Sequence, residues 1–192
     1  MRRILLGVAA AVAALTVVSG CSTGSNAVSQ TAGDSDRYVA GDGKTIVYPA
    51  AERKAAPKLT GDTVDGGTYN LAAHKGQVVV LNFWASWCAP CRLEASGLEA
   101  TYKATENSGV TFLGVNSRDE KDAAKSFESD HSSYPSLFDP NGRVPLDFSD
   151  VPTALPCTLI IDRTGKVAVV IRNSVTQSSL TPLVNQIAAE KA

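Results

Sequence analysis

In the stretch FWASWCAPCR, Phe83 to Arg92, two cysteines, Cys88 and Cys91, bracket the dipeptide Ala89-Pro90. A pair at this spacing can clamp a metal, staple a loop or exchange electrons, and each use needs different surroundings. Dithiol exchange needs one thiol that ionises and a second that reaches it within a single mixed disulfide. A CxxC that opens a helix supplies both. The first cysteine sits where unpaired N–H groups and the positive end of the helix dipole favour a thiolate, and the second lies one turn on, on the same face. Cys88 is then the attacking thiol and Cys91 the resolving one. Pro90 suits such a start because the N–H it lacks would have no helical partner. Trp87 is expected beside an exposed Cys88 sulfur as an apolar rim.

The other two uses fit less well. A structural zinc site wants four ligands, and only Cys157, His74 and His131 remain, widely scattered. Copper(I) needs two or three soft ligands, so a copper-delivery module stays open, with His131 as the residue that would have to approach the pair. A purely structural disulfide across two residues closes too short a loop to stabilise much beyond it. The redox reading requires no metal and no cofactor.

The pair must be positioned by a fold, and the flanking pattern describes one. Gln77 to Ser86, QVVVLNFWAS, is a nearly continuous β-branched and aromatic run, the mark of a strand buried on both faces. A helix follows from about Pro90, with Leu98 and Tyr102 on the face shared by Cys91 and Ala95, and ends at Asn107-Ser108-Gly109. Val110 to Ser117 reads as a second buried strand, and Asp119 to about Asp130 as a polar helix presenting Ala123, Ala124 and Phe127. CTLIID and KVAVVI are strands joined at Arg163-Thr164-Gly165. From about Ser178 a helix places Leu180, Leu183, Val184, Ile187 and Ala188 on one stripe. Upstream, Asp65-Gly66-Gly67 between two short alternating runs predicts a hairpin. The class is α/β: a mixed sheet covered on both faces, with an N-terminal β-hairpin extension.

The chain has 192 residues, 44% of them hydrophobic and 19% charged, which fits one globular domain plus extra segments. Arg2 and Arg3 precede an apolar run, Ile4 to Val18, too short for the roughly 20 residues of a bilayer span. Residues 1–20 therefore read as a signal peptide, and Val18 to Cys21, VSGC, resembles the bacterial lipobox whose cysteine is lipidated. Residues 21–56 are expected to be a lipid-anchored tether, a coil of about 35 residues spanning roughly 30 to 35 Å, within which KTIVYP, Lys44 to Pro49, offers a short strand. The ordered domain is expected over 57–192. Losing Arg2 and Arg3 leaves 16 basic against 19 acidic residues, a balance that points away from nucleic acid.

VVVLNFWASWCAPCRLE, then GVNSRD, then ALPCTLIIDRTGKV form an ordered set that resembles the thioredoxin superfamily and, within it, the membrane-tethered TlpA/ResA-like thiol-disulfide oxidoreductases. The resemblance implies a thioredoxin-like fold and a cis-proline loop facing the CxxC. Pro152 and Pro156 both qualify; Pro156 fits the family spacing, with Leu155 offering backbone groups to substrate. Asp119 matches the position of an acidic residue near the two sulfurs, where it would oppose the thiolate and relay its proton; it also suits the cap of the following helix. Three positions depart from the family pattern: Asn82 where thioredoxin has a buried aspartate, Ser96 where a helix-kinking proline is common, and Cys157 after the cis-proline, expected as a buried core residue.

Ala89-Pro90 supplies no cation and removes one N–H donor, which with Asp119 nearby points to a more reducing couple. The expected activity is reduction of disulfides in exported proteins, with apocytochrome c or its maturation factors as clients and a membrane electron donor for re-reduction. The protein would be a lipid-anchored monomer on the outer face of the cell membrane. A disulfide-forming oxidase is the rival within the same chemistry.

Overall fold

The computed structural model describes residues 41–149 and 151–191. The expected signal peptide, Cys21 and the residues up to 40 lie outside the described residues. Eight strands and three α-helices form the domain: β1 (Thr45–Val47), β2 (Thr60–Asp62), β3 (Thr68–Asn70), β4 (Val78–Trp84), α1 (Ala89–Thr105), β5 (Val110–Ser117), α2 (Lys121–His131), β6 (Ser136–Asp139), β7 (Cys157–Ile161), β8 (Val167–Ile171) and α3 (Gln177–Ala188). Six of the strands make one sheet in the order β1-β8-β7-β4-β5-β6, and β2 and β3 pair as a separate hairpin. β4, β5 and β6 run parallel; β7, β8 and β1 run antiparallel to their neighbours. The sheet is mixed, as expected.

Every residue of β4 is buried, which is why its sequence shows no alternation: it lies at the sheet's centre with apolar layers on both sides. Val78 and Val80 face a layer in which Leu98 of α1 and Leu180, Val184 and Ile187 of α3 pack. Val79, Leu81 and Phe83 face a layer closed by the hairpin residues Leu59, Val64 and Tyr69 and by Ala124 and Phe127 of α2. Ala123, expected on that face, is exposed.

β6 was not anticipated. Its four residues follow Ser132-Ser133-Tyr134-Pro135, a run of turn formers, and it forms because Gly114 of β5 lets it come close. A Cβ on Gly114 would stand 2.1 Å from Ser136 Oγ and 2.8 Å from Trp84 Nε1.

The folded unit also begins earlier than position 57. β1 pairs with β8, Thr45 opposite Ile171, and Arg53 is fixed by Asp162 at 3.0 Å and Glu190 at 2.8 Å with its side chain 5% exposed. Burial pushes the Asp162 carboxyl up, but the Thr164 hydroxyl, the Lys166 N–H and the Arg53 guanidinium outweigh it and hold the group below the usual carboxylate range. Residues 41–56 are thus part of the domain rather than of a tether, because their partners lie more than a hundred residues away where no local pattern reveals them. Gly41 packs so closely on Arg172 that a Cβ would stand 2.1 Å from its carbonyl oxygen. Arg172 N–H donates to Lys44 O at 2.9 Å, and its guanidinium to Asp42 at 3.1 Å.

Candidate active site

β4 ends at Trp84, and a short loop, Ala85 to Trp87, carries the chain into α1. Cys88 is the N-cap of α1, and its Sγ accepts the Cys91 N–H at 3.3 Å. The sulfur therefore occupies the place a capping oxygen usually fills, at the positive end of the helix. Pro90 lies in the first turn, where no N–H is missed. Cys88 and Cys91 are joined by a disulfide, S–S 2.07 Å. In this oxidised state both are buried, 1% and 2% exposed, which corrects the expectation of an exposed Cys88 sulfur. The pair sits in the apolar cluster with Trp84, Phe127 and Leu155, and Trp87 packs against that cluster half-buried. The Trp87 indole N–H donates to Arg118 O at 2.9 Å, so the rim residue is held in place rather than free.

Leu155–Pro156 is the cis peptide bond among the described residues, not the bond before Pro152. It directly precedes β7, whose Cys157 is opposite Phe83 of β4. Cys157 is fully buried as a free thiol, and burial pushes it up to about 12; a thiol so placed is a core residue without a role in exchange. Arg118 joins the two loops of the site. Its backbone is left-handed, φ 55°, and its guanidinium donates to Thr153 O at 2.9 Å, three residues before Pro156.

Asp119 does not cap α2. The N-cap of α2 is Glu120, with no side-chain cap bond. The Asp119 carboxylate instead accepts from Ser86 N at 2.6 Å, Ser86 Oγ and Asn116 Nδ2 at 2.8 Å and Glu120 N at 2.9 Å. These four donors fix the carboxylate, and it pins the loop two residues ahead of Cys88.

The acid that sequence reading missed is Glu94. It lies one turn past Cys91 on the buried face of α1 and is 2% exposed. Asn82 Nδ2 donates to Glu94 Oε1 at 2.8 Å and to Thr158 Oγ1 at 3.1 Å, and Val175 N donates to Glu94 Oε2 at 2.9 Å. Burial raises the carboxyl to about 7 against the pull of those two donors. The amide at position 82 thus hydrogen-bonds a carboxyl supplied by the helix. The signal was a charged residue interrupting the apolar stripe Cys91, Ala95, Leu98.

The histidines do not join the sulfurs. His131 stacks on Phe127 at 4.1 Å and its Nδ1 faces Phe127 O; His74 stacks on Tyr69. Among the described residues no three His, Cys, Asp or Glu side chains converge on a metal-sized site.

A model of the AhpC/TSA family matches residues 53–170. The chain belongs to that family. Within the AhpC/TSA family it is 33% identical over 138 residues to the thiol-disulfide oxidoreductase ResA of Bacillus subtilis, covering 71% of this chain and 76% of that one. Among solved structures it resembles a secreted thiol-disulfide isomerase of Corynebacterium glutamicum, TM-score 0.73 and 33% identity over 80% of this chain and 97% of that one. A DsbF homologue of Corynebacterium diphtheriae gives TM-score 0.71 and 31% identity over 78% and 97%. This AhpC/TSA protein is a thioredoxin-fold thiol-disulfide oxidoreductase of the ResA type, with its CxxC at Cys88 and Cys91.

Proposed function

We propose that the protein is a reductant of disulfides in exported proteins. The observation that carries this reading is the electrostatic setting of the CxxC: Glu94 is buried one turn from Cys91, Asp119 pins the preceding loop, and Ala89-Pro90 contributes no cation. Negative charge on these groups opposes a thiolate at Cys88, which makes it a weaker leaving group and the couple more reducing.

In the exchange, the Cys88 thiolate attacks a client disulfide and displaces one client sulfur as a thiolate. Cys91 then loses its proton, attacks Cys88 Sγ and releases the second client sulfur. Glu94, with its carboxyl near neutrality, takes the Cys91 proton. Two electrons pass to the client, and the Cys88–Cys91 disulfide remains. Trp87 lines the approach to the pair, and the backbone of Leu155 beside cis-Pro156 is available to pair with an extended client. Re-reduction draws on a membrane electron donor, because exported sites lack the cytosolic thiol pool.

Cys21 is the proposed lipidation site, which would hold the protein at the outer face of the membrane; the secreted Corynebacterium relative supports an extracytoplasmic setting. The resemblance to the ResA-like branch makes apocytochrome c the client to test first. The deciding measurement is the Cys88/Cys91 reduction potential in thiol buffers. A value at or below about −230 mV supports a reductant, and one of about −120 to −180 mV assigns the protein to disulfide formation or isomerisation instead.

A further inference from the structure

The end of the sheet away from the redox pair holds a groove of about 540 Å³, between the turn that follows the β2–β3 hairpin and the β7–β8 turn. That volume is in the range of small-molecule sites, roughly 300 to 1,000 Å³. Its apolar surface comes from Ala56, Pro57, Leu71 and Ala72, with Leu59, Val79 and Ile161 buried beneath as its floor. The groove also borders charged residues, and their pairing decides what it attracts. Asp162 is engaged by Arg53 and by the Thr164 and Lys166 N–H groups. Arg163 is spent on the carbonyl oxygens of Gly76, Ser108 and Ala188. Lys58 and Lys75 line the groove as well, and neither has an acidic partner among the described residues. An apolar trough with two uncompensated ammonium groups complements one kind of small molecule, an alkyl chain that ends in an anion.

We infer that this groove binds a free long-chain carboxylate, its alkyl chain against Pro57, Leu71 and Ala72 and its carboxylate at Lys58 and Lys75. The site is separate from thiol exchange: β4 runs from the groove at Val79 to the loop before Cys88 at Trp84, the full length of the sheet. Occupancy therefore leaves the sulfurs uncovered.

The test uses the full chain in the membranes of cells that express it, with a photoreactive, alkyne-tagged dodecanoate as probe. Labelling is expected on peptides covering residues 56–60 and 70–77, displaced by excess dodecanoate but not by dodecanol. The double variant Lys58→Glu/Lys75→Glu should lower it about tenfold, since two weak exposed attractions become repulsions, while disulfide-exchange turnover stays at the wild-type rate. Ala72→Trp, which fills the groove without changing either lysine's charge, should abolish labelling and gives a second reading if the double variant does not fold. Labelling elsewhere, equal displacement by dodecanol, or full labelling of both variants overturns the inference. Equally strong labelling of the groove by a photoreactive phosphatidylcholine would overturn it too, by assigning the groove to bilayer lipid.

Discussion

Asp119 and Glu94 are both acids buried beside the CxxC segment, one on the loop side and one on the helix side, and their surroundings differ in the number of donors. Asp119 accepts four hydrogen bonds, two of them from Ser86. Glu94 accepts two in a more enclosed site, and burial raises it to about 7. A carboxylate whose lone pairs are filled is a fastener, and one left short of donors near neutrality is a proton carrier. The residue type alone does not separate these uses; the count of donors does.

The comparison is broken most completely at the sulfurs. Cys88→Ser should abolish disulfide reduction, while Cys91→Ser should retain attack and accumulate a Cys88 mixed disulfide with client, seen by mass spectrometry. If Cys91→Ser turns over and Cys88→Ser forms the adduct, the assignment of attacking and resolving thiols is reversed.

Glu94→Gln tests the proton carrier. Single-turnover resolution of the mixed disulfide should slow by about a hundredfold at pH 7, and the dependence on a group near pH 7 should disappear. Stability gives a second readout. With the folded carboxyl raised from 4.5 to about 7, the neutral acid is fully compatible with the fold below pH 4.5. As pH rises toward 7 the unfolded chain ionises first, so stability falls by about 3 kcal/mol and then levels off. Urea denaturation of the oxidised protein should show that fall in the wild type and its absence in Glu94→Gln.

Asp119→Asn tests the fastener. An amide NH₂ must face one of the existing donors, at a cost of about 1 to 3 kcal/mol, yet the pH profile of exchange should keep its shape. Should Asp119→Asn flatten the profile while Glu94→Gln leaves it alone, the two roles are exchanged. The smallest effect is expected at Cys157: Cys157→Ala removes one buried sulfur, costs about 1 kcal/mol of stability and leaves the reduction potential unchanged.

What the sequence disclosed follows from how local each signal is. β4, β5, β7 and β8 are mostly apolar, buried runs, and α3 carries its stripe in twelve consecutive residues, so their patterns are complete within themselves. The CxxC and its helix start were legible for the same reason. β6 was hidden by Tyr134-Pro135 and exists only because Gly114 admits it. Arg53 gave no sign of belonging to the domain, since Asp162 and Glu190 are 109 and 137 residues away. The use of Asp119 depends on Ser86, 33 residues earlier. Glu94 was in plain view as a charge on an apolar stripe, a contradiction in the local pattern that marks a site rather than a surface.

The seat of Gly41 against Arg172 has a mechanical consequence. Thr45 of β1 is opposite Ile171 of β8, Ile171 is opposite Thr158 of β7, and Thr158 is opposite Asn82, two residues short of the end of β4. The first residue of β1 therefore lies at the end of the sheet that carries Cys88. Tension applied at the start of β1 acts beside the redox pair and along the strand, shearing its ladder against β8 instead of peeling it bond by bond.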